Sequence, residues 1–258
     1  NMYSYSPVTA PDAPTGSYNL VATVGKARFS KSLRVETVKP NRLKVNLTFV
    51  DEILRADQRS NFQLESHWLH GAPARNLKAD ITVRLSAAVT SFKGYDDYVF
   101  TDISKEFESY EFEAADERLD ENGECRSSLF IRSVQGASGM LNATFRTRVH
   151  EDGGDYSMNI SSKKLSPYTA YVGLKQPKSD HYYIETDKDQ KFTVVAVDEY
   201  GQPLSNQHLK YAVYKLAWSW WWEHSTYDLA SYINSRSANL ITSGDLYSDG
   251  SGSANFNV

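Results

Sequence analysis

Apolar and polar residues alternate with a period of two along most of the chain, the pattern of strands with one buried face. Tyr18 to Val24 and Ala27 to Val35 read as two strands joined across Gly25-Lys26, a hairpin with glycine at its turn. Leu43 to Phe49, Phe62 to Leu69, Ala79 to Leu85, Ser109 to Ala114, Ser128 to Ser133, Leu141 to Val149 and Tyr156 to Ser161 continue the alternation. Gly71-Ala72-Pro73, Asn122-Gly123 and Gly153-Gly154-Asp155 punctuate it as turns. Beyond Ser166-Pro167-Tyr168 a second series begins. It comprises Tyr171 to Leu174, Lys191 to Val197, His208 to Leu216 running into the aromatic stretch Trp218 to Trp222, and Ala254 to Val258. One helical insert interrupts it over Ser225 to Arg236. There Ser225 or Thr226 caps a turn with Asp228 near its start, and Leu229, Tyr232 and Ile233 share a face. Helices this short exclude a wound α/β sheet, and the pattern predicts an all-β chain of tandem sandwiches.

Composition narrows the function. Seventeen tyrosines, 11 phenylalanines and 5 tryptophans supply enough buriable surface to exclude disorder. A net charge of −4 with no basic stripe argues against nucleic-acid binding. The apolar runs are of strand length, which predicts no membrane-spanning helix, and no leader of the secretory kind stands at Asn1. Starting at Asn1-Met2, the chain reads as a piece of a longer polypeptide. Cys125 is the one cysteine, so an internal disulfide, a Cys-x-x-Cys zinc site and an iron–sulfur centre are all excluded.

Several segments in order resemble the macroglobulin-type domains of bacterial alpha-2-macroglobulins. They are Ser32 to Lys44, His67-Trp-Leu-His-Gly-Ala-Pro-Ala-Arg-Asn-Leu77, Phe92-Lys-Gly-Tyr-Asp-Asp-Tyr-Val-Phe100, Val149 to Asp155, Ser166 to Gly173 and Trp218 to Trp222. The resemblance implies scaffold from a bacterial, extracytoplasmic (periplasmic or cell-surface) endopeptidase inhibitor that traps proteases. Residues 1–40 would be the terminal hairpin of a preceding macroglobulin-type domain. Residues 41–167 would form one such sandwich and 168–258 a second, lacking its last strand. The implied partners are adjacent domains of the parent chain and, through the full-length protein, target proteases; the family also allows a membrane-anchored parent. Cys125 is followed by Arg126-Ser127-Ser128 instead of the family's Cys-x-Glu-Gln, so the resemblance implies no thioester here, and no bait-like insertion is visible.

Candidate chemistry is sparse. His67 and His70 fall on opposite faces of the expected strand, which suits a solvated or satisfied imidazole better than a metal site. Gly-x-Ser-x-Gly, a phosphate loop and His-Glu-x-x-His are all missing, so no catalytic, cofactor or metal residue is assigned, and the chain reads as a non-enzyme. Asp102 to Glu124 carries ten acidic residues against Lys105 and Arg118. Within it Asp120-Glu-Asn-Gly-Glu124 reads as an Asn-Gly hairpin turn, being too short for a calcium loop. Asn46, Asn142 and Asn159 begin Asn-x-Ser/Thr triplets that the bacterial resemblance leaves idle. Trp218, Trp220 and Trp222 share one face if extended, and two uses are open: an interdomain contact, or a stacking platform for sugar rings on a surface carbohydrate-binding or adhesin-type module. Finally, a sandwich lacking its last strand would present an open edge at Ala254 to Val258. A neighbouring copy or the Tyr18 to Val35 hairpin would fill it.

Overall fold

The computed structural model describes residues 16–25, 27–35, 41–177, 188–215 and 239–258. Fifteen strands and no helix occur among them, hence no helix long and apolar enough to cross a membrane. The helix expected over Ser225 to Arg236 lies outside the described residues, as do Trp218, Trp220 and Trp222.

Residues Asn1–Asn41 form one compact unit and Arg42–Val258 another. In the first, β1 (Gly16–Val24) and β2 (Ala27–Val35) pair antiparallel from Val24↔Ala27 outward, with Gly25 at φ 60 in the turn. Tyr18, Leu20, Ala22 and Val24 alternate onto the same face as Phe29 and Leu33.

The second unit opens with a sandwich whose faces follow the alternation. Its smaller sheet has the order β3 (Leu43–Phe49), β5 (Arg59–Trp68), β8 (Glu124–Phe130). Its larger sheet runs β4 (Ile53–Arg55), β10 (Tyr156–Ser166), β9 (Leu141–His150), β6 (Lys78–Ala87), β7 (Tyr110–Arg118). Leu43, Val45 and Leu47 from one sheet meet Ile81, Val83, Leu85 and Phe145 from the other, all buried. The tilted pair Phe49–Phe145, 4.6 Å apart, ties the layers. On the outer face the sheet carries ions instead: Asp80 receives Arg148 at 2.8 Å and His150 at 2.5 Å.

Two expectations change here. Asp120 to Glu124 is not a hairpin turn, because β7 pairs with β6 and β8 pairs with β5. The turn carries the chain from one sheet to the other. His70 is not on a strand, since β5 ends at Trp68 and His70 sits in the turn beyond it, its ring 6.2 Å from the Trp68 ring.

The remaining strands repeat this design. β11 (Tyr171–Lys175), β12 (Lys191–Val197) and β15 (Ser253–Asn257) form a sheet in the order of β3-β5-β8, and β13 (His208–Lys215) pairs with β14 (Asn239–Tyr247) as β6 does with β7. The correspondence extends to single hydrogen bonds. Ser66 N–H donates to Gly123 O and Ala74 N–H to Ser66 O; likewise Ala196 N–H donates to Gly252 O and Leu204 N–H to Ala196 O. Isolated bridges His67↔Pro73 and Val197↔Pro203 match, and so do two left-handed asparagines, Asn76 (φ 55) and Asn206 (φ 53). Asp120 Oδ1 accepts the amides of Asn122 and Glu124, and Asp249 Oδ1 those of Ser251 and Ser253. In each turn a glycine follows with φ 77, backed so closely that a Cβ would lie 2.4 Å from Ser66 O (Gly123) or 2.7 Å from Ala196 O (Gly252). The chain thus holds the same corner twice.

Candidate interdomain junction

The connection from β6 to β7 leaves the first sandwich and lies on the second. Local rules shape it. Tyr95 N–H donates to Phe92 O across Gly94 at φ 86, the glycine position of a type II turn. Tyr98 N–H then donates to Tyr95 O, which returns the chain extended at Val99. There Val99 N–H donates to Leu174 O at 2.9 Å and Leu174 N–H to Val99 O at 3.0 Å, so the loop is stitched to β11 by a closed antiparallel bridge.

Side chains complete the joint. Phe92, Phe100, Met140, Tyr171, Val195 and Val197 form a buried cluster to which the first sandwich contributes three residues and the second three. Phe92 meets Phe100 edge-on at 4.8 Å and Tyr171 at 5.4 Å, while Tyr95 stands edge-on to Phe100 at 6.0 Å. The Phe100 ring lies directly on Gly173, where a Cβ would come within 2.6 Å of its carbons; Phe92 rests against Gly201, where one would meet it at 3.1 Å. Two glycines without side chains therefore form the sockets for two phenylalanine rings.

Polar groups frame the cluster. Ser166 Oγ donates to Tyr168 O at 2.6 Å and pairs with Tyr171 Oη at 2.5 Å, and Tyr168 Oη donates to Ala137 O at 2.6 Å. The Ser166-Pro167-Tyr168 linker is thereby fastened at both ends. Burial pushes the Tyr171 phenol up, so it stays a neutral donor. Arg55 of β4 pairs with Glu199, whose side chain is only 3% exposed in the turn after β12. At the rim Lys175 donates to Asp97 at 2.7 Å and lies 5.5 Å over the Tyr98 ring; the Asp97 hydrogen bond holds its ammonium above the usual lysine range. The geometry is that of a packed joint: matched rings and sockets at the centre, with the Arg55–Glu199 pair beside them and the Lys175–Asp97 pair at the rim.

The residues weighed in the sequence fall elsewhere. Cys125 is half-buried on β8, its Sγ 3.9 Å from Glu117 Oε2, and burial, with the Glu117 charge behind it, pushes the thiol up and away from reactivity. Among the described residues no three His, Cys, Asp or Glu side chains converge to hold a metal. The segment Phe92 to Phe100 was visible in the sequence as a motif, but its task was not. The signal that could have disclosed it is the surplus of four aromatic residues in nine positions of a connection with no strand of its own.

Tandem sandwiches of one repeated design, joined by such a clamp, define a modular all-β protein. The comparisons specify which. The family model for the bacterial alpha-2-macroglobulin MG5 domain matches residues 41–161, and that for bacterial macroglobulin domain 6 matches residues 173–258. The chain belongs to the macroglobulin-domain family of the bacterial alpha-2-macroglobulins. In fold it is similar to trypsin-activated alpha-2-macroglobulin from Escherichia coli (18% identity, TM-score 0.55). It is similar too to the native conformation of the E. coli protein (17% identity, TM-score 0.51). These matches cover 95% of this chain but only 17% and 16% of the solved chains, so the chain spans about one sixth of their length. No curated protein sequence matches it.

Proposed function

We propose that this chain is a non-enzymatic strut in a protease-trapping inhibitor of the bacterial alpha-2-macroglobulin kind, held outside the cytoplasm. Its residues divide into a terminal hairpin (1–40) and two macroglobulin-type domains (41–167 and 168–258). The observation that carries the reading is the junction. A frame that must keep its shape while another part of the molecule rearranges needs domains that do not hinge freely, and interdomain contacts are by default polar and yielding. Here the contact is a buried aromatic cluster seated on two glycine sockets.

Trp218, Trp220 and Trp222 fit the same role. They stand in the connection from β13 to β14, and the corresponding connection of the first sandwich, β6 to β7, carries the Phe92 to Phe100 clamp. That correspondence favours a contact with a further domain over a sugar platform. Titration with oligosaccharides followed by tryptophan fluorescence, with Trp220→Ala as the control, gives no saturable change on this reading.

The decisive experiment is protease capture. The parent protein should shield a captured protease from a large substrate while leaving a small one accessible, and the 258-residue chain alone should do neither. Capture by the chain alone overturns the scaffold role.

A further inference from the structure

On the outer face of the larger sheet in the first sandwich, charges pair across strands. Asp80 receives both Arg148 and His150, and beside it Lys78 pairs with Asp116 at 3.0 Å. Further along the same strands the pattern changes. Arg84 on β6 stands directly opposite Glu111 on β7, yet Glu111 is taken diagonally by Arg146 of β9, whose Nη1 donates to Oε1 at 3.0 Å. Among the described residues the Arg84 guanidinium is left without an acidic partner. Around it the sheet surface is hollow. Thr82 and Ser86, two residues either way along β6, share its face, and Thr144 stands opposite it on β9. These short side chains among long ones leave a cavity of about 300 Å³, lined also by Arg146, Glu111 and one apolar side chain, Ile160 of β10, which is 57% exposed. That volume lies at the low end of the range for small-molecule sites and has room for one sugar-sized unit.

We infer that this cavity binds a hydroxylated monocarboxylate of the sugar-acid kind. Its lining carries two guanidinium charges against one carboxylate, a surplus of one positive charge in a chain of net charge −4, which matches a ligand of one negative charge. Arg84 offers the planar fork of donors that a carboxylate accepts bidentately. Thr82, Ser86 and Thr144 each supply a hydroxyl that both donates and accepts, the complement of ligand hydroxyls. Glu111 uses Oε1 on Arg146 and keeps Oε2 to accept from one hydroxyl more. The same carboxylate, with Glu113 opposite Thr82, repels a dianionic phosphate. Ile160 supplies apolar surface for the C–H groups of a ring. The inference rests on this cavity alone and stands whether or not the parent traps proteases. None of the lining residues is a tryptophan, so the site is separate from Trp218, Trp220 and Trp222.

Titration of the isotope-labelled 258-residue chain with glucuronate, followed by amide shifts in two-dimensional NMR, tests it. Saturable shifts should cluster at Thr82 to Ser86 and Thr144 to Arg146. Glucose lacks the carboxylate, acetate lacks the hydroxyls and inorganic phosphate carries extra charge, so each should bind at least about tenfold more weakly. Arg84→Gln should weaken glucuronate by a similar factor at an unchanged melting temperature, and Arg84→Lys should recover only part of the loss, because an ammonium keeps the charge but not the fork. Glu111→Gln should narrow the gap between glucuronate and phosphate. No saturable shift at these amides overturns the proposal, and so does an Arg84→Gln variant that binds like the unsubstituted chain. Glucose binding as tightly as glucuronate removes the role of the charge, and acetate or phosphate doing so reduces the cavity to a general anion trap; either result overturns it equally.

Discussion

Gly173→Ala is the sharpest probe of the junction. The added methyl would stand 2.6 Å from two carbons of the Phe100 ring, well inside van der Waals contact, and that ring cannot swing away. Phe92, Tyr95 and Tyr98 hold it on its other sides, with centroids 4.8, 6.0 and 6.3 Å distant. Forcing a methyl into a packed site costs about 1–3 kcal/mol. Against this, replacing glycine at an ordinary φ recovers roughly 0.4–1 kcal/mol from the unfolded chain. The net loss is about 0.5–2 kcal/mol, and for a unit of this size each kcal/mol moves the melting temperature by roughly 2–4 °C. A drop of about 1–8 °C in calorimetry is therefore expected. Phe100→Leu in the same chain should restore part of it, since the shorter side chain vacates the space the methyl needs. A Gly173→Ala variant that melts like the parent, with the Phe100 pair acting additively, would show that the ring does not bear on β11 and would refute the clamp.

Further outcomes follow from the same geometry. Gly123→Ala and Gly252→Ala should each destabilise by at least about 1–3 kcal/mol, because a left-handed backbone and a clash with Ser66 O or Ala196 O act together; denaturant midpoints check this. Asp120 and Asp249 have carboxyls held below the ordinary range, Asp120 first by the Glu124 amide and Asp249 first by the Ser251 hydroxyl. A depressed folded-state value gives stability that is present above the unfolded value and lost as pH falls through the folded one, so melting temperature should fall below about pH 4. Replacing both by alanine should flatten that acid limb. The Cys125 thiol, raised by burial and by Glu117, should react with iodoacetamide at neutral pH more slowly than free cysteine and accelerate only in alkali; reaction as fast as the free amino acid would contradict its placement.

Strand-by-strand, much of the fold was legible. Leu43-Lys-Val45-Asn-Leu47 alternates in sequence as it alternates between core and solvent, and β9 does so over its whole length. β4 is not legible in the sequence because three residues, Ile53 to Arg55, cannot display a period, and their parallel pairing with β10 is a decision of tertiary packing. β8 spans Glu124–Phe130, where the alternation points to Ser128 to Ser133, because Glu124, Arg126 and Ser127 look like loop residues. Their polarity belongs to the strand: Ser127 bonds Glu117 at 2.5 Å. The junction was half legible. Phe92, Tyr95, Tyr98 and Phe100 announced themselves as a motif, while Gly173 and Gly201 did not, because a glycine that serves as a socket looks in sequence like any glycine in a strand or turn. The repeat is hidden in the sequence because its markers, Pro73 with Asn76 and Pro203 with Asn206, are turn residues embedded in otherwise dissimilar segments.

The clamp also sets a clock. Phe92 and Phe100 are synthesised roughly a hundred residues ahead of Val195 and Val197, which complete their cluster, and at about 5–20 residues per second that is an interval of about 5–20 s. The first sandwich is itself complete only at Ser166, so for roughly the last thirty residues of that interval, about 2–6 s, it displays a loop of aromatic rings whose partners on β12 are not yet made. Translation speed across this stretch, and whatever shields such loops in the cell, therefore govern whether the nascent chain closes on its own second half or on a neighbour's.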